Sequence, residues 1–353
     1  MRNFIRSCFA GSSVLVVALL AIPVGISGAP AELDTLTSAS ASPTVSSSTA
    51  SDLQSRVRTL VDWVEVGAGV TNDLTVSCPQ GTVALGGGVD VSDVHSMTIF
   101  STGPTVNGSR LNATSDGTHG APDGWFGGVD NSDSTSRPFK VGAICVPLSG
   151  VSTVVTSQAV NPGAFGWTSA VCPAGTTAVG GGVDVEDHLL MVVTSSSPTI
   201  AGSRILSVAD GSHAGPDGWR GTVRNYSSVL KTVKVGVVCQ PLGGITTVIS
   251  SDTAAAGSWG TQAANCPLGK IAVGGGMDVE NVFTVFATET APKFELPQAT
   301  LMQRDPGVQP APIGWQASVS NTASTGKGFK VGAICARWPL VFFRGDDDSK
   351  PDR

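Results

Sequence analysis

Short segments in which apolar and polar residues alternate recur along the chain. From Trp219, every second position carries Gly221, Val223 and Asn225, whereas arginine and threonine occupy the positions between them. Because side chains in a β-strand point alternately to the two faces of a sheet, this pattern predicts a strand with one buried face. The tryptophan lies on the apolar face, so we predict that it is a core residue.

Three such segments belong to an internal repeat. The sequences CPQGTVALGGGVDV, CPAGTTAVGGGVDV and CPLGKIAVGGGMDV begin at residues 78, 172 and 266, at intervals of 94 residues. Each copy continues to a Gly-Trp pair, to an asparagine six residues after the tryptophan, and to a Lys-Val-Gly segment that ends at a cysteine. A period of this length suits a small β unit rather than one rung of a solenoid. The glycine triplets lack the lysine of a phosphate-binding loop, and we expect them to make room for the tryptophan ring.

The cysteines follow the same repeat. Of seven cysteines, Cys8 lies in the apolar N-terminal segment and two fall in each repeat. An even number of cysteines in an exported chain predicts disulfides, and pairing within each repeat is the simplest arrangement. The predicted bonds are Cys78–Cys145, Cys172–Cys239 and Cys266–Cys335. Zinc ligation is the alternative, but the chain has no CxxC motif and no clustered histidines.

The segments outside the repeats predict export. Residues 1–31 combine Arg2 and Arg6 with an apolar run and then small residues, which is typical of a secretory signal peptide. An uncleaved membrane anchor is the alternative. Residues 32–55 predict a disordered spacer rich in Ser, Thr and Ala, and residues 343–353 predict a polar tail. No later segment reaches the ~20 apolar residues of a spanning helix, so we expect no membrane span in the mature chain.

These observations predict an all-β fold. We expect three tandem, disulfide-linked, β-sandwich-like repeats over residues 56–148, 149–242 and 243–342. The alternative is one β assembly in which the three repeats surround a pseudo-threefold axis, because the connections between repeats are short. Charged residues make up 14% of the chain and its net charge is −6, which argues against binding to nucleic acid.

A polar loop before the tryptophan provides candidate binding residues. It reads DGTHGAPDGW at residues 116–125 and DGSHAGPDGW at residues 210–219, whereas the third repeat has RDPGVQPAPIGW without a histidine. Binding residues often lie on loops that a rigid scaffold holds, although solvated turn residues are the alternative interpretation. The candidates are Asp116, His119, Asp123, Asp210, His213 and Asp217.

Acidic residues after the glycine triplets suggest a metal site. Hard cations such as calcium take several oxygen ligands, and Asp184, Glu186 and Asp187 are the candidate ligands. Their spacing differs from that of an EF-hand loop, and carboxylates just past a strand are often solvated. Calcium is therefore the one cofactor that we consider.

The order of these motifs, C-P-x-G, G-G-G, G-W, Asn and A-x-C, resembles a repeat of secreted or surface proteins of actinobacteria whose function is unassigned. The resemblance covers all three repeats. It implies a secreted or surface location and brings no catalytic residues.

The repeats favour binding over catalysis. None of the four histidines lies in a recognisable catalytic motif, and tandem modules raise avidity through repeated weak contacts. We predict a secreted binding or adhesion protein that recognises a cell-wall or environmental polysaccharide, or another cell-surface component, through the repeated loops. One alternative is a secreted hydrolase, which requires carboxylates that converge in a pocket of one repeat. The other alternative is a structural surface protein.

Overall fold

The structure is a computed structural model, and it describes residues 57–295 and 300–337. The predicted signal peptide, spacer and polar tail lie outside the described residues. Among the described residues, no helix has the length and apolar character needed to cross a membrane.

The described residues form twenty-two β-strands and three short 3-10 helices. The first repeat contains β1 (Arg58–Val66), β2 (Thr71–Ser77), β3 (Val83–Val91), β4 (Met97–Thr105), β5 (Gly117–His119), β6 (Gly124–Asn131) and β7 (Arg137–Val146). The second contains β8 (Ser152–Val160), β9 (Phe165–Val171), β10 (Thr177–Val185), β11 (Met191–Ile200), β12 (Ser203–Arg204), β13 (Gly211–Ala214), β14 (Gly218–Asn225) and β15 (Lys231–Gln240). The third contains β16 (Thr246–Ala254), β17 (Trp259–Asn265), β18 (Lys270–Val279), β19 (Val285–Lys293), β20 (Gly307–Gln309), β21 (Gly314–Asn321) and β22 (Lys327–Arg337). The 3-10 helices are Leu111–Ala113, Ile205–Ser207 and Leu301–Gln303.

Each of the three antiparallel sheets combines strands from two repeats. The strand orders are β2-β6-β4-β10-β15-β8-β5 for repeats 1 and 2, β13-β16-β22-β18-β11-β14-β9 for repeats 2 and 3, and β17-β21-β19-β3-β7-β1-β20 for repeats 3 and 1. Strand β12 pairs with β11 beside the second of these sheets. The all-β fold with disulfide-linked repeats is confirmed. Of the two architectures that the sequence left open, the pairing shows the single closed assembly rather than three separate sandwiches.

The third repeat closes the assembly onto the first. Strand β4 pairs with β10 through Thr102 and Val183, and β19 pairs with β3 in the same way through Thr290 and Val89. A short strand also crosses each boundary, because β5 pairs with β8, β13 with β16, and β20 with β1. We call the three boundaries the 1–2, 2–3 and 3–1 junctions. Their cyclic order gives the molecule its pseudo-threefold character.

The first glycine of each triplet lies where the three repeats meet. A Cβ atom on Gly86, Gly180 or Gly274 would lie 2.1 to 2.3 Å from a backbone oxygen of another repeat. It would also lie 2.9 to 3.1 Å from the Cα atom of another of these three glycines. Because such separations leave no room for a side chain, the three glycines allow the strands to approach at the pseudo-threefold axis.

The middle glycine of each triplet contacts the tryptophan of its own repeat. A Cβ atom on Gly87, Gly181 or Gly275 would lie 2.3 to 2.5 Å from the indole ring. The rings of Trp125, Trp219 and Trp315 are fully buried, and each indole N–H donates a hydrogen bond of 2.9 to 3.1 Å to a Ser or Thr hydroxyl. The predictions that the tryptophan is a core residue and that the glycines make room for it are both confirmed.

The three predicted disulfides are present within the repeats. They join Cys78 to Cys145, Cys172 to Cys239 and Cys266 to Cys335, with Cα–Cα distances of 5.6 Å. A bond that closes a loop of 67 to 69 residues contributes about 4 kcal/mol in the chain-entropy account. Three disulfides indicate an oxidising environment, as expected outside the cell.

Candidate functional site

The aspartates before the tryptophans hold their own loops. The Asp123 carboxylate accepts a hydrogen bond of 2.8 Å from the Thr105 hydroxyl and one of 2.5 Å from the Gly108 N–H. Asp217 makes the equivalent pair of bonds in the second repeat. Both carboxylates therefore have a structural role, in which they fix the turn that follows β4 or β11.

The remaining candidate loop residues also bond within the protein. The Asp116 carboxylate accepts hydrogen bonds of 3.0 and 2.7 Å from the N–H and hydroxyl of Ser157 in the next repeat. Asp210 bonds in the same way to the corresponding serine of the third repeat. The Nε2 atoms of His119 and His213 each lie 2.8 Å from a carbonyl oxygen four residues earlier. These contacts connect the loops to the scaffold, and a ligand role for them stays a prediction.

The three candidate metal ligands contact different partners. The Asp184 carboxylate binds Arg110, the Glu186 carboxylate accepts a 2.7 Å hydrogen bond from a backbone N–H of β15, and Asp187 forms a 3.0 Å ion pair with Lys231. Within residues 57–295 and 300–337, no group of three or more His, Cys, Asp or Glu side chains is arranged to hold a metal ion. A calcium site stays a prediction.

A buried aspartate lies at each junction, two residues after the last glycine of the triplet. At the 1–2 junction, the guanidinium of Arg110 binds Asp184 with an Nη2–Oδ1 distance of 2.5 Å and an Nε–Oδ2 distance of 3.3 Å. At the 2–3 junction, Arg204 binds Asp278 through the same two nitrogens, with an Nε–Oδ2 distance of 2.9 Å. A two-point contact of this kind matches the shape of a guanidinium to that of a carboxylate. We call these two boundaries the filled junctions.

Each filled junction also holds a guanidinium against an aromatic ring. The guanidinium carbon of Arg110 lies 3.7 Å from the ring centroid of Phe126. At the 2–3 junction, the guanidinium carbon of Arg220 lies 3.7 Å from the ring centroid of Trp167. Such stacking places the cation on the electron-rich face of the ring, which attracts it.

The 3–1 junction lacks these arginines. Arg110 and Arg204 directly precede a 3-10 helix, and the residue in that position of the third repeat is Thr300. Ser101 and Ser195, whose hydroxyls bond the aspartates at the filled junctions, correspond to Glu289 in the third repeat. A cavity of about 640 Å³ is present here, and we call this boundary the open junction.

Two carboxylates line the cavity from neighbouring strands. Because Thr290 pairs with Val89 in an antiparallel ladder, Glu289 on β19 faces Asp90 on β3. Asp90 is 2% exposed and Glu289 is 4% exposed. The following bonds hold them: Asp90 accepts a 2.6 Å hydrogen bond from the Met302 N–H, and Glu289 accepts bonds of 2.6 and 3.1 Å from Ser318 and Gln316.

Burial controls the protonation of this pair. Desolvation raises the pKa of Asp90 to about 6, although hydrogen bonds from Thr300 and Met302 and the charge of Lys140 oppose the rise. Desolvation and the nearby charge of Asp90 raise the pKa of Glu289 to about 8. At neutral pH the two carboxyl groups therefore share one proton.

The rest of the cavity wall combines polar and apolar side chains with one aromatic ring. Trp259, at the start of β17, is 43% exposed, and its indole meets the His95 ring edge to face at a centroid distance of 5.4 Å. The side chains of Gln262, Gln303 and Gln316 also line the cavity. An aromatic ring beside amide groups and carboxylates provides both a stacking surface and directional hydrogen bonds for a ligand.

The sequence predictions did not identify the residues of this site. Thr300, Glu289 and Trp259 lie outside the repeated motifs, and Asp90 occurs in a motif that all three repeats share. The available signal was a departure from the repeat, because the arginine before the 3-10 helix in repeats 1 and 2 is absent from repeat 3. No protein-family model matches the chain, and no curated protein sequence is significantly similar to it.

Proposed function

We propose that this protein is a secreted, non-catalytic binding protein whose ligand site is the open junction. The cavity of about 640 Å³ is the observation that carries the proposal, because its size suits a small ligand or one unit of a chain. Secretion is supported by the three disulfides and by the signal-peptide pattern of residues 1–31.

A cell-wall or environmental polysaccharide is the ligand class that we propose. The exposed indole of Trp259 offers a flat apolar surface for the face of a sugar ring. The amides of Gln262, Gln303 and Gln316 donate and accept hydrogen bonds, as sugar hydroxyls do. The cavity occurs at one junction, so this site differs from the threefold set of loop contacts that the repeats suggested.

A binding screen with matched tryptophan variants tests the proposal. The mature protein is applied to immobilised polysaccharides and cell-wall fractions, with calcium and with a chelator. We expect Trp259→Ala to weaken binding by about tenfold, as the loss of an aromatic anchor does. Trp167→Ala is the control, because Trp167 is 54% exposed but lies at a filled junction beneath Arg220. Equal affinities for the wild type and Trp259→Ala would exclude the open junction as the site.

A secreted hydrolase is the second candidate function, because Asp90 and Glu289 converge in one cavity. A protonated carboxylic acid beside an ionised carboxylate is the combination that glycoside hydrolysis uses. We rank binding first because both side chains are almost fully buried and already bonded to protein donors. Release of reducing ends from a polysaccharide by the wild type, and its loss in Glu289→Gln, would favour the hydrolase.

A further inference from the structure

The two filled junctions show what the framework of the open junction accommodates. At the 1–2 junction, Asp184 binds a guanidinium and also accepts a 2.9 Å hydrogen bond from the Asn112 N–H. At the open junction, Asp90 keeps the equivalent bond from the Met302 N–H, at 2.6 Å, but no arginine is supplied from the position of Thr300. The backbone that frames an arginine–aspartate pair is therefore retained without the arginine.

The cavity lies where arginine and aromatic side chains are packed at the filled junctions. Residues at five of those positions line it, and four of them differ in size or charge from their counterparts at the 2–3 junction, whereas the aspartate is shared. The five residues are Asp90, Thr261, Glu289, Thr300 and Gln316. Their counterparts at the 2–3 junction are Asp278, Trp167, Ser195, Arg204 and Arg220. The side chains missing from the open junction thus include two guanidinium groups.

The charge at the open junction also differs from that at the filled ones. Glu289 adds a second carboxyl group where the filled junctions have a serine hydroxyl, so two acidic groups face a cavity whose lining, among the described residues, includes no arginine. The ammonium groups of Lys140 and Lys293 lie nearby, but the first donates to the Met302 and Arg304 carbonyls and the second donates to Asn265.

A lysine in the position of Lys140 does not prevent a second cation from binding. Lys234 and Lys330 occupy the corresponding places opposite Asp184 and Asp278, where arginines bind. The same framework therefore accepts both a lysine and a further cationic group beside one aspartate.

We propose that the open junction binds a cationic group of the ligand, which takes the place of the missing arginine between Asp90 and Glu289. This inference rests on the proposed function and narrows it. The cationic group that a polysaccharide supplies is the ammonium of an amino sugar, so the ligand is a polysaccharide with free amino groups. The indole of Trp259 packs against the sugar ring while the ammonium reaches the two carboxyl groups.

Isothermal titration of the full mature chain with two matched probes tests the inference. The probes are a short oligosaccharide of glucosamine and the same oligosaccharide in N-acetylated form, which differ in charge at the amino group. We expect the glucosamine form to bind at least about tenfold more tightly, because a charge-assisted hydrogen bond to a buried carboxylate is lost on acetylation. Equal binding of both forms would overturn the cation inference and leave the polysaccharide function standing.

Two variants locate the cation. Glu289→Gln replaces one carboxyl group with an amide of similar shape that cannot ionise beside a bound ammonium, and we expect it to reduce the preference for the glucosamine form by about tenfold. The double variant Thr300→Arg with Glu289→Ser reproduces the side chains of the filled junctions, and we expect it to abolish binding because its own guanidinium occupies Asp90. Glu186→Gln is the control and should bind as the wild type does, because Glu186 bonds a backbone N–H of β15 and does not line the cavity.

Three further outcomes would each overturn the ligand site, the ligand class or both. Unchanged binding in the Arg–Ser double variant would overturn the site, whichever probe binds. Failure of both sugars, together with binding of an arginine-containing peptide that the double variant loses, would replace the amino sugar with a peptide and overturn the polysaccharide function. Failure of all three probes would overturn both proposals.

Discussion

The filled and open junctions have the same backbone and different side chains. The 2–3 junction pairs Ser196 with Met277, and the 3–1 junction pairs Thr290 with Val89 in the same register. The 2–3 junction holds a guanidinium on its buried aspartate, whereas the 3–1 junction has a second carboxyl group and a cavity. Closure of the assembly therefore depends on the strand pairing and the central glycines, and the side chains at one junction are free to take another role.

The filled junctions serve as an internal control for the features of the open junction. The buried aspartate and the backbone donor from the 3-10 helix recur at the 1–2 and 3–1 junctions, so they do not explain the cavity. The smaller side chains of Thr300 and Gln316, in the positions of Arg204 and Arg220, do explain it. Random loss of the arginine would not also introduce the buried acidic residue Glu289. A buried acidic group is costly without a partner, so the two changes together indicate a functional role.

The largest expected effect on stability comes from removing the arginine of a filled junction. Arg204→Thr leaves Asp278, which is 0% exposed, without its cation, and we expect a loss of about 3 to 5 kcal/mol in the free energy of unfolding. At the open junction, Thr300→Ala removes a capping hydroxyl that also bonds Asp90, for an expected loss of about 1 to 2 kcal/mol. Urea denaturation at neutral pH measures both. Similar losses in the two variants would mean that the arginine does not distinguish the junctions.

The next effect is a pH dependence that arises at the open junction. The pKa of Glu289 is raised from 4.5 to about 8, so the folded state binds the proton more tightly than the unfolded state does. The resulting contribution is fully present below pH 4.5 and is lost as the pH rises toward 8. Compared with Glu289→Gln, we expect the wild type to lose on the order of 3 kcal/mol between pH 4.5 and 7.

Denaturation of both proteins across this pH range measures the difference. Asp187→Asn is the control, because Lys231 and backbone N–H groups lower the pKa of Asp187 although partial desolvation opposes them. Removal of that carboxylate should change stability with the opposite sign and at lower pH. A parallel course for the wild type and Glu289→Gln would show that Glu289 ionises normally.

The fold was more predictable than the site for a physical reason. Alternation along a strand reports which face is buried, so the tryptophans and the cysteines could be placed in the core from the sequence. Alternation does not report which strand lies next to a given strand in the sheet. The sequence therefore allows both separate repeats and a single closed assembly. The arginine–aspartate contact spans 74 residues of sequence, so no local motif contains it. Alignment of the three repeats would reveal Thr300 as the exception, but only the pairing of β19 with β3 shows that Glu289 faces Asp90.

Filling the open junction should raise stability by a smaller amount. In Thr300→Arg with Glu289→Ser, the buried acid is removed and Asp90 gains a guanidinium, so we expect a gain of about 1 to 2 kcal/mol at pH 8. At pH 4.5 the sign should reverse to a loss of roughly 2 to 3 kcal/mol, because the protonated Glu289 of the wild type then contributes stability that it has lost by pH 8. Thermal unfolding at the two pH values measures this change. A loss of stability at pH 8 would show that the open junction cannot adopt the arrangement of the filled ones.

The smallest effect separates the repeated loops from the open junction as ligand sites. His119→Ala and His213→Ala each remove one hydrogen bond to a backbone carbonyl near the surface, and we expect each to cost within about 0.5 kcal/mol. If the open junction is the site, neither variant changes polysaccharide affinity, because neither histidine lines the cavity. If the loops bind the ligand, both variants lose affinity while Trp259→Ala retains it. Affinity measurements on the three variants, with unfolding as the control for stability, thus assign the ligand to one region or the other.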